Sequence, residues 1–283
     1  MNRHLAEAAY RSAGQHASLF RRDTQVIEDR QMDFKGRRVL ITGSTSGIGR
    51  AAAELFHAAG ATVAINGRSV QGVAKAIREI GFERLVAAPG DVGSVSGCEA
   101  MVGAALTALG GLDCLVNNVG ISSSAGTLDV TEAQWDELMG INLRSAMFCT
   151  RAALPALRIS RGNIVMVSSA AALMAGPSEC MLYAISKAGL IGLARTLALE
   201  VAPDHVRVNC VCPGYTDTPL ARRRFERIGD VVAKVTPLAR LGSAREIASA
   251  IVYLASEDAG YCTGTNMVND GGCYAGASWG TRG

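Results

Sequence analysis

The sequence predicts a doubly wound α/β fold: one domain built on a seven-stranded parallel sheet with helices on both faces. Three observations predict it. From Arg37 onward, short β-branched runs alternate with longer stretches of helical periodicity. The runs are apolar on both faces, as strands are when helices cover a parallel sheet from each side. The first run ends in a glycine-rich turn that leads straight into an Ala-rich helix.

The seven runs are "RVLIT", "TVAIN", "RLVAA", "CLVNN", "NIVMVSS", "VRVNCV" and "NMVND". Helix-sized connections separate them, and no internal repeat or Pro/Gly/Ser linker interrupts the span from Phe34 to Gly272. The domain is therefore placed over residues 33–273, with 274–283 as a tail. Residues 1–32 differ, with mixed charge and no strand-like run before "RRVLIT". Their five Arg suggest a transit peptide, but Glu7, Asp23, Glu28 and Asp29 break the acid-poor pattern of such peptides. A short surface helix or disordered arm is expected there.

Composition narrows the function. Across 283 residues, 49% are hydrophobic, enough for a substantial core. The formal charge is only +3 and no basic face runs through the body, so nucleic acid is not an expected partner. No uninterrupted apolar run approaches the ~20 residues of a membrane helix, and the start lacks a secretory signal's apolar core. A cytoplasmic protein that does not enter a membrane is expected. The eight cysteines include no C-x-x-C pair and the four histidines are scattered, which argues against a metal or a redox dithiol. Buried reduced thiols fit runs such as "NCVC".

The turn "TGSTSGIG" places Gly43, Gly47 and Gly49 ahead of a helix that is expected to begin near Arg50. Gly43 permits a tight turn, Gly47 lets backbone approach a pyrophosphate, and Gly49 lets helix pack on strand. The second strand ends in "INGRS", where an acidic side chain would hold the ribose 2′-hydroxyl of NAD. No acid is present. Arg68 can instead meet a 2′-phosphate, with Ser44 and Ser69 adding hydrogen bonds, so NADP(H) is favoured and NAD(H) stays possible.

Tyr183 and Lys187 in "YAISK" stand at i and i+4, on one helix face. Bringing a phenol from ~10 to ~7 takes about 4 kcal/mol of differential stabilisation of the phenolate. A neighbouring ammonium plus an oxidised nicotinamide, both partly desolvated, is adequate in direction and scale. Two residues that merely share a surface are the plainer alternative.

These motifs, with "GDV" (90–92), "NNVG" (117–120), Asn142, "VSS" (167–169), "NCVCPGYTDT" (209–218) and "TGTNMVNDGG" (263–272), occur in an order that resembles the short-chain dehydrogenase/reductase family, in its form with T-G-x-x-x-G-I-G and Y-x-x-x-K. The resemblance covers about residues 34–273. It implies a Rossmann-type fold and hydride transfer between a nicotinamide cofactor and a carbonyl or secondary alcohol, with Tyr183 as general acid and base. It further implies that Lys187 bonds the nicotinamide ribose, and that Asn142 holds a helix kink and a water linking Lys187 to solvent. Ser169 is the expected partner of the substrate oxygen, with Ser168 the alternative, because the spacing to Tyr183 is one residue longer than usual. By the same likeness Ser46, Ile48, Asp91, Val92, Asn118 and Gly120 belong to the cofactor site. Pro213, Gly214, Thr216 and Thr218 are expected against the nicotinamide and pyrophosphate. "NNVG" departs from the commoner N-N-A-G by carrying Val119.

The substrate stays open between a sugar or polyol and a 3-oxoacyl compound. Arg222, Arg223, Arg224 and Arg227 suggest an acidic one, although a solvated helix face also explains such a run. The resemblance implies a homodimer or homotetramer. The rival from another class is a cofactor-binding regulatory or scaffold protein of the same fold without turnover.

Overall fold

The computed structural model describes residues 32–276 apart from 82, 123, 175–179 and 226–235. The expected arm (1–32) lies outside these but for Met32, as do the end of the tail and Arg227. Seven strands form one parallel sheet: β1 (Arg38–Ile41), β2 (Thr62–Gly67), β3 (Leu85–Pro89), β4 (Cys114–Asn117), β5 (Asn163–Val167), β6 (Arg207–Pro213) and β9 (Asn266–Asn269), in spatial order β3-β2-β1-β4-β5-β6-β9. A separate parallel pair, β7 (Thr216–Asp217) with β8 (Gly242–Ser243), is too short for periodicity to announce. The chain builds outward from β1 to β3, then returns to lay β4 beside β1. That reversal separates the loops at the carboxyl ends of β1 and β4 and opens a crevice there.

Alternate residues of each strand feed two cores. Leu40, Leu115, Ile164, Met166, Val208 and Cys210 pack with α3 (Val95–Leu109), α5 (Ser145–Ser160) and α6 (Met181–Val201). Val39, Ile41, Val63, Val116, Val165 and Val211 pack with α1 (Gly47–Ala58), α2 (Val70–Ile80) and α8 (Ala244–Ala255). Both faces are thus covered, which is why the strands read as continuous apolar runs. Cys114 and Cys210 are buried here as small hydrophobes, and burial pushes both thiols up to about 12.

Caps punctuate the helices as local chemistry requires. Ser69 accepts from Gly72 N to start α2, and Ser94 does the same for α3. Thr131 with Gln134 and Ser243 with Glu246 form reciprocal boxes at α4 (Glu132–Met139) and α8. At the other end of α8, Arg207 donates to the carbonyls of Leu254 and Ser256, and Asn163 Nδ2 donates to that of Ala255. A cation at a helix C-terminus faces its negative end.

α6 is long and apolar enough, by length and composition, to cross a membrane, which the absence of a long apolar run did not suggest. It packs instead on β6 with Leu182, Leu190, Ile191, Ala194, Leu197 and Ala198 buried. It is a core helix of the sheet, and it carries the Y-x-x-x-K pair.

Candidate active site

Every strand of the main sheet that contributes to the site does so at its carboxyl end. The glycine turn after β1 is held from two sides. Asn66, at the end of β2, accepts from Gly43 N at 2.9 Å and donates to Ala88 O at 2.9 Å. Asn118, after β4, donates through Nδ2 to Thr42 O at 2.9 Å and Gly43 O at 3.2 Å. Thr42 Oγ1 accepts from the Asn118 and Val119 amides. Asn66 is singled out by no motif, and Thr42 opens "TGSTSGIG" without a role assigned to it; their buried hydrogen bonds reveal what both do.

Gly43 sits at φ +65°, and a Cβ there would meet Val119 Cγ2 at 2.9 Å. The valine that departs from N-N-A-G therefore lies against the glycine turn. Gly49 is a close-packing position, where a Cβ would stand 2.5 Å from both Asn118 Nδ2 and Gly43 O. Gly49→Ala is expected to destabilise the protein by about 1–3 kcal/mol through overpacking and to weaken coenzyme binding with it. Urea unfolding and an NADPH titration of the variant check both.

Gly47 differs. At φ +57° its would-be Cβ meets nothing nearer than Thr218 Cβ at 3.7 Å, so this stretch of backbone is uncovered toward Thr218. α1 begins at Gly47, three residues earlier than the sequence indicated, so Gly47, Ile48 and Gly49 form its first turn. Ser46 is the N-cap but makes no side-chain cap bond, and the first turn holds no acid. First-turn N–H groups have no partner within the helix, and they carry the positive end of its dipole. The donor set and the uncovered backbone fit the pyrophosphate of a dinucleotide.

Around this turn the expected contacts separate into two kinds. Ser44 is fully buried: its hydroxyl donates to Ile41 O at 2.9 Å and accepts from Asn66 N at 2.9 Å. The strand framework thus engages the Ser44 hydroxyl both as donor and as acceptor. Arg68 is exposed at the end of β2, and Ser69 beside it keeps its hydroxyl proton while capping α2. Asp91 Oδ1 accepts from Gly93 N at 3.0 Å and Val92 is buried beneath it. After β6, a Cβ on Gly214 would meet Asp270 Cβ at 2.5 Å, so that turn also needs glycine. Pro213 ends β6 and is buried. Thr216 Oγ1 donates to Gly214 O, and Thr218 Oγ1 accepts from Ala221 N at the start of α7 (Pro219–Phe225).

Tyr183 and Lys187 share one side of α6. Lys187 Nζ lies 5.7 Å from the centre of the Tyr183 ring. The lysine is buried, and its ammonium donates to Val167 O, at the end of β5, at 2.8 Å. Burial lowers its pKa from 10.5 to about 8. Gly120 leaves room for it, since a Cβ there would stand 3.0 Å from Nζ and 3.4 Å from Asn142 Oδ1.

Asn142 lies in a π-helical turn, Gly140–Arg144, between α4 and α5. Its amide accepts from Ile121 N at 2.8 Å and donates to Ile121 O at 3.0 Å, tying that turn to the segment after β4. This π-turn interrupts the regular helical path between α4 and α5.

The two serines after β5 have different duties. Ser168 is 2% exposed and donates to Lys187 O at 2.8 Å, locking strand to helix. Ser169 accepts from Ala171 N at 3.2 Å and retains its O–H. Arg222 makes a two-point pair with Asp217, at 2.7 and 2.9 Å, so its charge is already answered.

The carboxyl end of the sheet thus carries a helix N-terminus after β1 and, on α6, a phenol beside a buried ammonium. A family model described as enoyl-(acyl carrier protein) reductase matches residues 43–274. Nodulation protein G of Rhizobium sp. (strain N33) is 33% identical over 241 residues, covering 85% of this chain and 98% of that protein. The chain belongs to the short-chain dehydrogenase/reductase family.

Other relatives agree. The 3-oxoacyl-[acyl-carrier-protein] reductase of Thermotoga maritima is 34% identical over 249 residues, 85% of this chain and 99% of that one. The crystal structure of a short-chain dehydrogenase/reductase, glucose/ribitol dehydrogenase, from Brucella melitensis matches with TM-score 0.81 and 34% identity, covering 86% and 98% of the two chains. As a short-chain dehydrogenase/reductase the protein is an NAD(P)-dependent oxidoreductase with a Rossmann-type fold and a small-molecule substrate.

Proposed function

We propose that this protein interconverts a carbonyl and a secondary alcohol, with Tyr183 as the general acid and base and NADPH as the favoured coenzyme. The observation that carries the reading is the buried Lys187 ammonium 5.7 Å from the Tyr183 ring centre, on the side of α6 that faces Gly120 and Asn142. A positive charge desolvated beside a phenol favours its ionised form and so eases proton transfer. The bound coenzyme supplies or accepts hydride.

The chain's own residues do the rest. Ser169, with its O–H uncommitted, holds the substrate oxygen within reach of Tyr183 and stabilises charge that develops there. Lys187 orients the nicotinamide ribose and tunes Tyr183. Asn142 fixes the π-turn against Ile121 and keeps a proton path to Lys187. Gly43, Gly47, Ile48, Gly49 and Ser46 form the pyrophosphate cradle, while Asp91, Val92 and Asn118 border the adenosine half and Gly120 leaves room for the coenzyme beside Lys187. Pro213, Gly214, Thr216 and Thr218 close the nicotinamide side. Holding both reacting carbons at near-attack distance is the other large contribution the protein makes.

Arg68 supports the preference for NADPH, because it stands exposed where an NAD enzyme places an acid. Arg68→Ala is expected to weaken NADPH binding by roughly 10-fold or more while changing NADH binding by less than about 2-fold. Fluorescence titration of each coenzyme checks this, and equal effects on both would remove the preference.

Relatives named as a 3-oxoacyl-carrier-protein reductase and a glucose/ribitol dehydrogenase support two substrate classes, 3-oxoacyl compounds and sugars or polyols. Arg222 gives no support to an acidic substrate, since Asp217 already holds it. A homodimer or homotetramer is supported by the partly exposed Met147 and Ile185 on α5 and α6.

A further inference from the structure

Ser186 stands inside "YAISK", between the two residues on which the proposed chemistry rests. It is fully buried. Its hydroxyl donates to Tyr183 O at 2.8 Å and accepts from Asn142 Nδ2 at 3.0 Å. A serine that bonds back to a carbonyl of its own helix is common. One whose acceptor side is simultaneously taken by a side chain from another helical turn joins two elements. Here it joins the first turn of α6 to the π-turn Gly140–Arg144.

That second bond completes the amide of Asn142. Its Oδ1 accepts from Ile121 N, and its Nδ2 divides two protons between Ile121 O and Ser186 Oγ. Both Asn142 Oδ1 and Lys187 Nζ border the space that Gly120 leaves empty. Any rotation of the asparagine therefore changes what lies beside the ammonium. Removing the Ser186 hydroxyl leaves one buried N–H of Asn142 without a partner, and such a group turns to find another.

We propose that Ser186 is a positioning residue that sets the orientation of Asn142 against the Tyr183–Lys187 turn. The inference rests on Tyr183 being the general acid and base. Ser186 touches neither substrate nor coenzyme in this account, and acts through Asn142 and through the backbone that carries Tyr183. A serine that served only to stabilise α6 would affect folding but would not interact with Asn142 in turnover.

The test is a double-mutant cycle with Ser186→Ala, Asn142→Ala and the double variant, plus Ser186→Thr. The assay is NADPH oxidation with an acetoacetyl thioester or a ketose, whichever the wild type reduces. Ser186→Ala is expected to lower kcat by about 10-fold with NADPH affinity changed less than about 2-fold, and Ser186→Thr to recover most of the loss. In the Asn142→Ala background the same serine change is expected to alter kcat by less than about 2-fold. Unfolding curves for all variants separate activity from stability. If Ser186→Ala does not fold, Ser186→Cys takes its place in the cycle.

A wild-type kcat in Ser186→Ala, or the same fold-loss with and without Asn142, overturns the proposal. Tyr183→Phe is run alongside to keep the two ideas apart. Wild type active, Tyr183→Phe inactive and Ser186→Ala fully active sinks this inference alone. Tyr183→Phe as active as wild type sinks the reading beneath it as well.

Discussion

Tyr183→Phe is expected to lower kcat for NADPH-dependent carbonyl reduction by roughly 10²–10⁴-fold, the range that a positioned acid or base contributes. The ring stays, so packing on α6 and the approach of the Lys187 ammonium to its face are kept. Only the hydroxyl, with its exchangeable proton, goes. NADPH affinity is accordingly expected to remain within about 2-fold of wild type, because the proposed pyrophosphate cradle at the start of α1 and Arg68 at the end of β2 are untouched. A loss of kcat with binding preserved marks an interaction made in the transition state. The measurement is steady-state absorbance decay with a parallel fluorescence titration.

Lys187→Met is expected to do two opposite things. On the proposed reading it removes the charge that tunes Tyr183 and the group that orients the ribose, so kcat should fall by roughly 10²-fold or more and coenzyme binding should weaken. It should also make the protein more stable at pH 7. The lysine is 3% exposed and donates to the Val167 carbonyl, and burial holds its pKa at about 8 against 10.5 for the free side chain. Below pH 8 the folded protein carries the proton at a desolvation cost on the order of 3 kcal/mol. Between about 8 and 10.5 the unfolded chain binds that proton and the folded one does not. Wild-type stability should therefore rise with pH through this window, and the methionine variant should lack the rise. Denaturant unfolding at pH 7 and pH 10 shows both effects. A more stable, inactive variant is the expected signature of a group kept for function.

What the sequence reveals depends on how local the determinant is. The seven strands of the main sheet are legible because burial on both faces writes an apolar run, and all seven appear within a residue or two of the runs that announce them. Tyr183 and Lys187 are legible as neighbours because helix geometry alone brings i and i+4 together. β7 and β8 are two residues each and leave no periodic trace. The membrane-like length of α6 is hidden by Tyr183, Ser186 and Lys187, which interrupt its apolar run yet are interior or semi-interior on the folded sheet.

Side-chain duty is less legible still. Ser44 and Ser168 look like candidates for binding by position, but their hydroxyls are committed to Ile41, Asn66 and Lys187 backbone. Asn66 looks ordinary and Thr42 is only the first letter of a motif, yet they fix the glycine turn to segments more than 20 residues away. Such assignments come from partners distant in sequence, so no local pattern records them. The start of α1 was displaced for a related reason: Gly47 and Gly49 read as loop residues by propensity, and tertiary packing under Asn118 places them in the helix.

The central claim is that a buried ammonium raises the acidity of the phenol four residues before it. The pH dependence of kcat/KM for carbonyl reduction, in wild type and Lys187→Met, tests it most directly. The account predicts a wild-type rate that falls as pH rises through a titration well below the ~10 of an ordinary phenol, with that limb moved upward in the residual activity of the variant. A wild-type profile flat to pH 10, or the same limb with and without Lys187, would contradict it.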